Sequence, residues 1–163
     1  PEDRKSEGLY LTLSIERNIA LGNLRSKPLW SIAHRDRTGV TNLMKAMNVA
    51  ARSADQPVGA LSGGNQQKVM IGRWINSGVD ILLIEEPTRG VDVGAKAEIY
   101  RLIGNLAAQG RGIIMVSSYL PELLGVCDTI GVMCRGRLAA VRPRAEWTAE
   151  SIMHTATGRG TVA

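Results

Sequence analysis

The sequence has no phenylalanine, and aromatic residues make up only 4% of its 163 positions. A hydrophobic core must therefore consist mainly of Leu, Ile, Val, Ala and Met side chains. Hydrophobic residues account for 44% of the chain and charged residues for 21%, which is ordinary for a soluble globular protein. The length is sufficient for one domain with its own core.

Long uniform stretches are also missing. No apolar run approaches the ~20 residues of a membrane-spanning helix, and no signal peptide is visible. The net charge of +5 is mild and no five like charges stand in a row, which disfavours binding to nucleic acid. Cys127 and Cys134 fit no CxxC or disulfide-rich pattern, so reduced cysteines in a cytosolic protein are expected. His34 and His154 are isolated and lack metal-ligand spacing.

The hydrophobic pattern changes at about residue 60. The first 60 residues are polar and helix-like, and the apolar side chains of residues 36–50 fall mostly on one helical face. From residue 61 helices and short apolar strands alternate, which indicates an α/β fold with a largely parallel sheet. The predicted helices cover about residues 64–76, 94–109 and 148–156, and the predicted strands cover residues 79–84, 112–117, 129–133 and 138–141.

Two adjacent carboxylates follow the first predicted strand. The segment ILLIEEPTRGVD runs from a nearly continuous apolar stretch, expected to be buried on both faces, into Glu85 and Glu86. In phosphoryl-transfer sites, one acid at such a strand end holds Mg²⁺, and a neighbouring acid orients or deprotonates the attacking water. When the dipeptide is considered alone, a solvated strand edge is the better explanation.

A glycine-rich segment, LSGGNQQK, precedes the first of these helices. Its two glycines allow backbone amides to approach a phosphate, the following helix N-terminus adds partial positive charge, and Ser62 offers a hydroxyl. Taken alone, the segment is better explained as the start of an ordinary helix.

The order of these motifs resembles that of an ATP-binding cassette (ABC) ATPase. LSGG corresponds to the signature motif, the strand ending at Glu85 and Glu86 to Walker B, and the loop ending at Asp92 to the D-loop. The segments PEDRKSEGL, LSIERNIAL, EEPTRGVDVGAK and HTATG further resemble the ribose/galactose/xylose type of bacterial sugar importer. The ATPase subunit of that type carries two fused cassettes, and this chain resembles the C-terminal part of the second.

The resemblance implies a P-loop NTPase-like α/β domain that is incomplete, with a largely parallel sheet and an α-helical subdomain. Residues 1–163 are expected to form a single partial nucleotide-binding domain. The helical subdomain is expected at about residues 14–60, the signature, Walker B, D-loop and switch region at residues 61–142, and a C-terminal helix at residues 143–163.

The resemblance also implies roles for particular residues. Glu86 is the expected catalytic carboxylate, and Glu85 is expected to bind Mg²⁺ through water. The expected contacts to ATP, or to the interface around it, are Ser62, Gly63, Gly64, Gln66, Asp92, Ser118 and Glu2. Because cassettes pair head to tail, the signature residues Ser62, Gly63 and Gly64 would contact ATP that the partner cassette binds. Asp92 would couple the two sites.

Three positions depart from the family pattern. Glu85 stands where Asp is usual, and its extra methylene would disturb the strict geometry of Mg²⁺. Ser118 stands where a switch His is common, and Glu2 occupies the place of a glutamine. We therefore expect the nucleotide site of this cassette itself to be the weaker one.

The phosphate-binding P-loop GxxxxGK[ST] is absent from the sequence. The only Lys followed by Ser or Thr is Lys5, which has no glycine before it. Because that loop supplies the amides, lysine and hydroxyl that hold the phosphates, the isolated chain is expected to be inactive. The first residue is Pro1, so an upstream part with the P-loop is expected to be missing.

The implied function is to power monosaccharide import across the bacterial inner membrane by ATP hydrolysis. The expected partners are a first cassette, membrane permease subunits and, indirectly, a periplasmic sugar-binding protein. The expected location is the cytoplasmic face of that membrane, as a peripheral subunit. Two alternatives remain open: a non-catalytic regulatory module, and a soluble ABC ATPase acting on nucleic acid or ribosomes.

Overall fold

The computed structural model describes residues 8–22 and 37–158. The chain divides into two compact units, Pro1–Ile114 and Met115–Ala163. The first contains helices α1 (Ile15–Ala20), α2 (Arg37–Ala46), α3 (Gly63–Asn76) and α4 (Val93–Ala108), a 3-10 turn at Val58–Ala60, and strand β1 (Ile81–Glu85). Strand β2 (Gly112–Val116) starts there, and the second unit contains α5 (Leu120–Val126), β3 (Thr129–Cys134), β4 (Arg137–Pro143), a 3-10 turn at Arg144–Glu146 and α6 (Ala149–Ala156).

The three helices α1, α2 and α3 pack against one another in the first unit. Their shared core is aliphatic and methionine-rich, as the absence of phenylalanine requires. Its most buried members include Ile15, Ile19, Val58 and Val69, with Met44, Met47 and Met70 filling the space between them.

Asn18 joins α1 to the preceding loop and to α3. Its side chain is fully buried, and its amide nitrogen donates to the carbonyls of Tyr10, Leu13 and Ser14 at 2.9–3.2 Å. Its Oδ1 accepts from the Tyr10 amide at 2.9 Å and from the Arg73 guanidinium on α3 at 3.0 Å. These bonds tie α1 to the loop before it and to α3, and each of the three carbonyls also accepts a hydrogen bond from a backbone amide.

Strands β1 and β2 form a two-stranded parallel sheet, with α4 as the connection between them. At the start of the pair the Gly112 amide donates to the Asp80 carbonyl at 2.8 Å, and Arg111 donates to the Val79 carbonyl at 2.9 Å. The predicted α/β class with a parallel sheet is confirmed.

The prediction that the first strand is buried on both faces is wrong for the part of the chain described. Leu82 and Ile84 are buried, whereas Ile81 and Leu83 are 66% and 71% exposed. An apolar run gives both faces of a strand the same character, so what covers each face decides its burial. Glu85 follows Ile81 and Leu83 on the exposed face, because side chains alternate along a strand.

The second unit is built on a β-hairpin and a capped helix. Strands β3 and β4 are antiparallel, and the turn between them places Arg135 and Gly136 at positive φ, 49° and 76°. Thr148 forms a capping box with Ser151 at the start of α6. The predicted hairpin and the predicted cap are therefore confirmed.

The core of the second unit contains Ile130, Val132, Trp147 and Ile152. The Trp147 indole donates to the Ile130 carbonyl at 3.2 Å. Cys127 and Cys134 are both free and half-buried, and burial raises the pKa of the Cys127 thiol. None of the helices in residues 8–22 and 37–158 is long and apolar enough to cross a membrane.

Candidate functional site

The LSGG segment forms the start of α3. Leu61 is buried and anchors the segment, while Ser62 is the N-cap residue and is exposed. The Ser62 hydroxyl makes no capping bond to the backbone amides of the helix; its oxygen accepts from the Asn65 side chain at 2.9 Å. The first amides of a helix lack partners within the helix, so the start of α3 is suited to an anion.

Asn65 and Gln66 anchor the N-terminus of α3 to the segments that precede it. The Asn65 Oδ1 accepts from the Ala50 amide at 2.9 Å, which ties the segment to the loop after α2. Gln66 is buried and donates to the carbonyls of Val58 and Leu61 at 3.3 and 3.2 Å. These bonds connect the Gln66 side chain to the backbone just before α3. The predicted contact between Gln66 and a nucleotide stays a prediction.

The two predicted acids lie at the carboxyl end of β1. Glu85 is exposed, and Glu86 is half-buried with a positive φ of 43°. A non-glycine residue in this region costs roughly 1 kcal/mol or more. The Glu86 carbonyl accepts from the Arg89 amide at 3.1 Å, so a tight turn begins at Glu86 and passes through the buried Pro87.

Asp92 caps α4. Its Oδ1 accepts from the Ala95 amide at 2.9 Å, and its side chain is otherwise exposed. A carboxylate at this position also complements the helix dipole. The acid that ends the predicted D-loop therefore fixes where α4 begins.

Ser118 and Glu2 are the two remaining predicted residues. Ser118 is exposed and belongs to the second unit, in the loop between β2 and α5. Its neighbour Ser117 donates to the Glu122 carboxylate at 2.5 Å. Glu2 lies outside the described residues. Within residues 8–22 and 37–158 no group of three or more His, Cys, Asp or Glu side chains is placed to hold a metal.

The order of the motifs is matched by comparison with known proteins. The sequence profile of the family described as ABC transporter matches residues 4–89, just over half of the chain. The chain belongs to the ABC transporter family. The family resemblance predicted from the motifs is confirmed, while the assignment of the segment at the start of α3 as the signature motif stays a prediction.

Curated relatives match this ABC chain along nearly its whole length. Ribose import ATP-binding protein RbsA 3 of Rubrobacter xylanophilus is 47% identical over 157 residues, which cover 96% of this chain and 32% of the relative. Ribose import ATP-binding protein RbsA 2 of Streptomyces avermitilis is 48% identical over 162 residues, covering 98% and 32%. The chain thus spans about a third of the length of these relatives.

Solved structures share the fold. A nucleotide-free ATP-binding cassette from an ABC transporter has a TM-score of 0.68 at 22% identity, covering 81% of this chain and 56% of that one. An ATP-binding subunit of an ABC transporter has a TM-score of 0.69 at 20% identity, covering 91% and 64%. At this level of identity the similarity concerns the fold alone.

Sequence reasoning missed a cluster of charged and polar side chains around the buried Lys68. Lys68 on α3 is 2% exposed, donates to the Asn48 carbonyl at 2.6 Å and forms a salt bridge with Glu98 on α4. The Lys68 ammonium holds the pKa of the Glu98 carboxyl below its ordinary value, through a hydrogen bond and charge attraction. Asn48 also donates to Glu98 at 3.2 Å, from a backbone with φ of 50°.

The cluster joins three segments of the first unit. It links α3, which begins with the LSGG segment, to α4 and to the turn after α2. No local sequence motif predicts this cluster, because its members lie 20 to 50 residues apart in sequence.

Proposed function

We propose that this chain is part of the ATP-hydrolysing subunit of a bacterial monosaccharide importer, and that its signature motif acts on ATP bound by a partner cassette. The observation that carries the proposal is that Ser62 lies exposed at the N-terminus of α3, in a sequence that contains no P-loop. The names of the ribose import relatives support the sugar class.

The signature residues fit a phosphate. The exposed Ser62 provides a hydroxyl donor, and the amides of Gly63 and Gly64 start a helix with partial positive charge. In the proposed complex these groups close over the terminal phosphate held by the partner's P-loop. Their contribution is electrostatic, because fixed donors stabilise the charge that develops during phosphoryl transfer.

The acids at the end of β1 fit a hydrated Mg²⁺. Such an ion usually keeps several waters and takes one or two carboxylates from the protein, and Glu85 would hold it through a water molecule. When bound, Mg-ATP supplies the phosphoryl group that water attacks. Glu86 would orient or deprotonate that water.

These acids belong to the nucleotide site of the cassette itself, which we propose is the weaker of the two. Ser118 cannot supply a charged contact to a phosphate, and Glu85 reaches further than the usual Asp would. Glu2 is proposed to lie at the same site. Asp92, through its cap on α4, would connect the two sites across the cassette interface.

The remaining partners follow from the proposed importer. A first cassette of the same or a homologous polypeptide supplies the P-loop, and membrane permease subunits receive the conformational change. A periplasmic sugar-binding protein acts indirectly through the permease. The chain would then be peripheral on the cytoplasmic face of the inner membrane.

The proposal is tested in the complete two-cassette protein by measuring ATP hydrolysis. Ser62→Arg places a bulky side chain at the proposed contact and is expected to remove most of the turnover. Ser53→Arg is the matched control, because Ser53 is also exposed and lies in the loop before the signature motif. Glu86→Gln, in the weaker site, is expected to lower turnover less than Ser62→Arg does.

Loss of turnover with Glu86→Gln alone, while Ser62→Arg behaves like Ser53→Arg, would show that the signature motif does not act on a partner's ATP. Turnover by the isolated 163-residue chain would also contradict the proposal, since the chain would then need no P-loop from a partner.

A further inference from the structure

The second glycine of the signature motif lies directly against α4. A Cβ atom built on Gly64 would lie 2.4 Å from the Ala95 Cβ and 3.5 Å from the Val91 Cγ1. Real Cβ atoms do not approach each other to within 3 Å, so a methyl group at this position would force the helices apart. The starts of α3 and α4 therefore touch through a glycine and an alanine.

Ala95 is joined to the D-loop as well. Its amide donates to the Asp92 Oδ1 at 2.9 Å, which is the cap that starts α4. One small residue thus meets the signature helix through its methyl group and the D-loop through its amide.

A second contact holds the two helices one turn further along. Lys68 follows Gly64 by four residues on α3, and Glu98 follows Ala95 by three on α4, so each pair lies on one helix face. The salt bridge between Lys68 and Glu98 therefore continues the same line of contact. Held at two points, the helices have little freedom to change their spacing near the signature motif.

We infer that Ala95 is a positioning residue whose methyl group, packed against Gly64, sets the spacing between the signature motif and the D-loop. On this view Gly64 is glycine because α4 occupies the space of its side chain, and not because its backbone must approach a phosphate. The kinetic consequence rests on the proposed function, whereas the packing itself does not.

Other glycines of the first unit provide controls. Gly104 lies in α4, and an added methyl group there would meet no neighbouring atom within 4 Å, so Gly104→Ala should raise the melting temperature through helix propensity alone. A Cβ on Gly72 would lie 2.5 Å from the Met47 Cε, the end of a flexible side chain that can move aside. At Gly64, by contrast, the obstacle is a Cβ fixed to a helix backbone.

The test moves one methyl group across the contact. Gly64→Ala is expected to lower the melting temperature of the chain by roughly 4–10 °C, although alanine favours a helix over glycine. Adding Ala95→Gly in the same molecule should recover most of the lost melting temperature. The change in helix propensity at one position offsets the change at the other, so the double variant isolates the contact.

The same variants are then assayed in the complete two-cassette protein. Gly64→Ala is expected to lower kcat for ATP hydrolysis while KM changes little, because the partner's P-loop still holds the nucleotide. The double variant is expected to recover kcat. A role in stability alone would leave kcat unchanged at temperatures where every variant is folded.

The inference is wrong if the double variant has the same melting temperature and the same kcat as Gly64→Ala. In that case the methyl group of Ala95 is not the obstacle to a side chain at position 64. If Gly64→Ala alone does not fold, the double variant still decides, because it is expected to fold and to hydrolyse ATP. If Ser62→Arg leaves turnover intact while the melting temperature is rescued, the proposed function fails and the packing contact stands, but the positioning role is withdrawn.

Discussion

Removing the Lys68 charge should destabilise the first unit. Lys68→Met keeps an unbranched stem of similar length and deletes the ammonium, which is 2% exposed, donates to the Asn48 carbonyl at 2.6 Å and pairs with Glu98. The variant leaves a carbonyl and a carboxylate without their main partner.

The size of the effect depends on how well water replaces the ammonium. Breaking a fully buried ion pair costs ~3–5 kcal/mol. The Glu98 side chain is 36% exposed, however, so hydration of its carboxylate recovers part of that cost. We expect a loss of about 2 kcal/mol in the free energy of unfolding, which corresponds to about 4–8 °C in melting temperature for a chain of this size.

The assay is urea denaturation followed by far-ultraviolet circular dichroism. Lys45→Met is the matched control, because Lys45 is exposed on α2 and should change the free energy of unfolding by no more than ~0.5 kcal/mol. Lys68→Arg should retain more stability than Lys68→Met, since it keeps the charge. If Lys68→Met and Lys45→Met unfold at the same urea concentration, the buried pair does not hold α3 to α4.

Two further predictions concern the first unit. The pKa of Glu98 is lowered in the folded chain, so the ionised carboxylate stabilises the fold fully above the ordinary pKa of about 4.3, and this stability is lost as the pH falls through the folded pKa. Over that pH range the free energy of unfolding should fall less in Glu98→Gln than in the wild type. The same fall in both proteins would contradict this prediction. Asn18→Ala should lower the free energy of unfolding by about 2 kcal/mol because it removes the buried side chain that bonds the Tyr10 amide and the Arg73 guanidinium, whereas the exposed Asn42→Ala should be nearly neutral in the same urea assay.

The regular elements could be predicted because their signals are local. Ile99, Ile103 and Leu106 recur at helical spacing and are all buried on α4. The turn at Arg135 and Gly136 and the cap at Thr148 were equally predictable, since a few adjacent residues determine each of them.

The contacts that organise the site could not be predicted in this way. Lys68 pairs with Glu98 thirty residues away, and Gly64 meets Ala95 across two helices, so only the packing of α3 on α4 brings them together. The one-sided burial of β1 depends on what covers the strand, which the apolar sequence of the strand does not reveal. No local sequence signal predicts the positive φ of Glu86. Glycine in LSGG suggested a phosphate contact, yet the same residue type also permits close helix packing.

The proposed contact between Ser62 and a partner's ATP is tested most directly by cysteine labelling of the complete two-cassette protein, with its native cysteines replaced by serine. Ser62→Cys and the control Ser53→Cys are each labelled with a maleimide, with and without Mg²⁺ and a non-hydrolysable ATP analogue. We predict that the nucleotide slows labelling at position 62 and leaves position 53 unchanged. Equal labelling of Ser62→Cys with and without nucleotide would contradict the proposal.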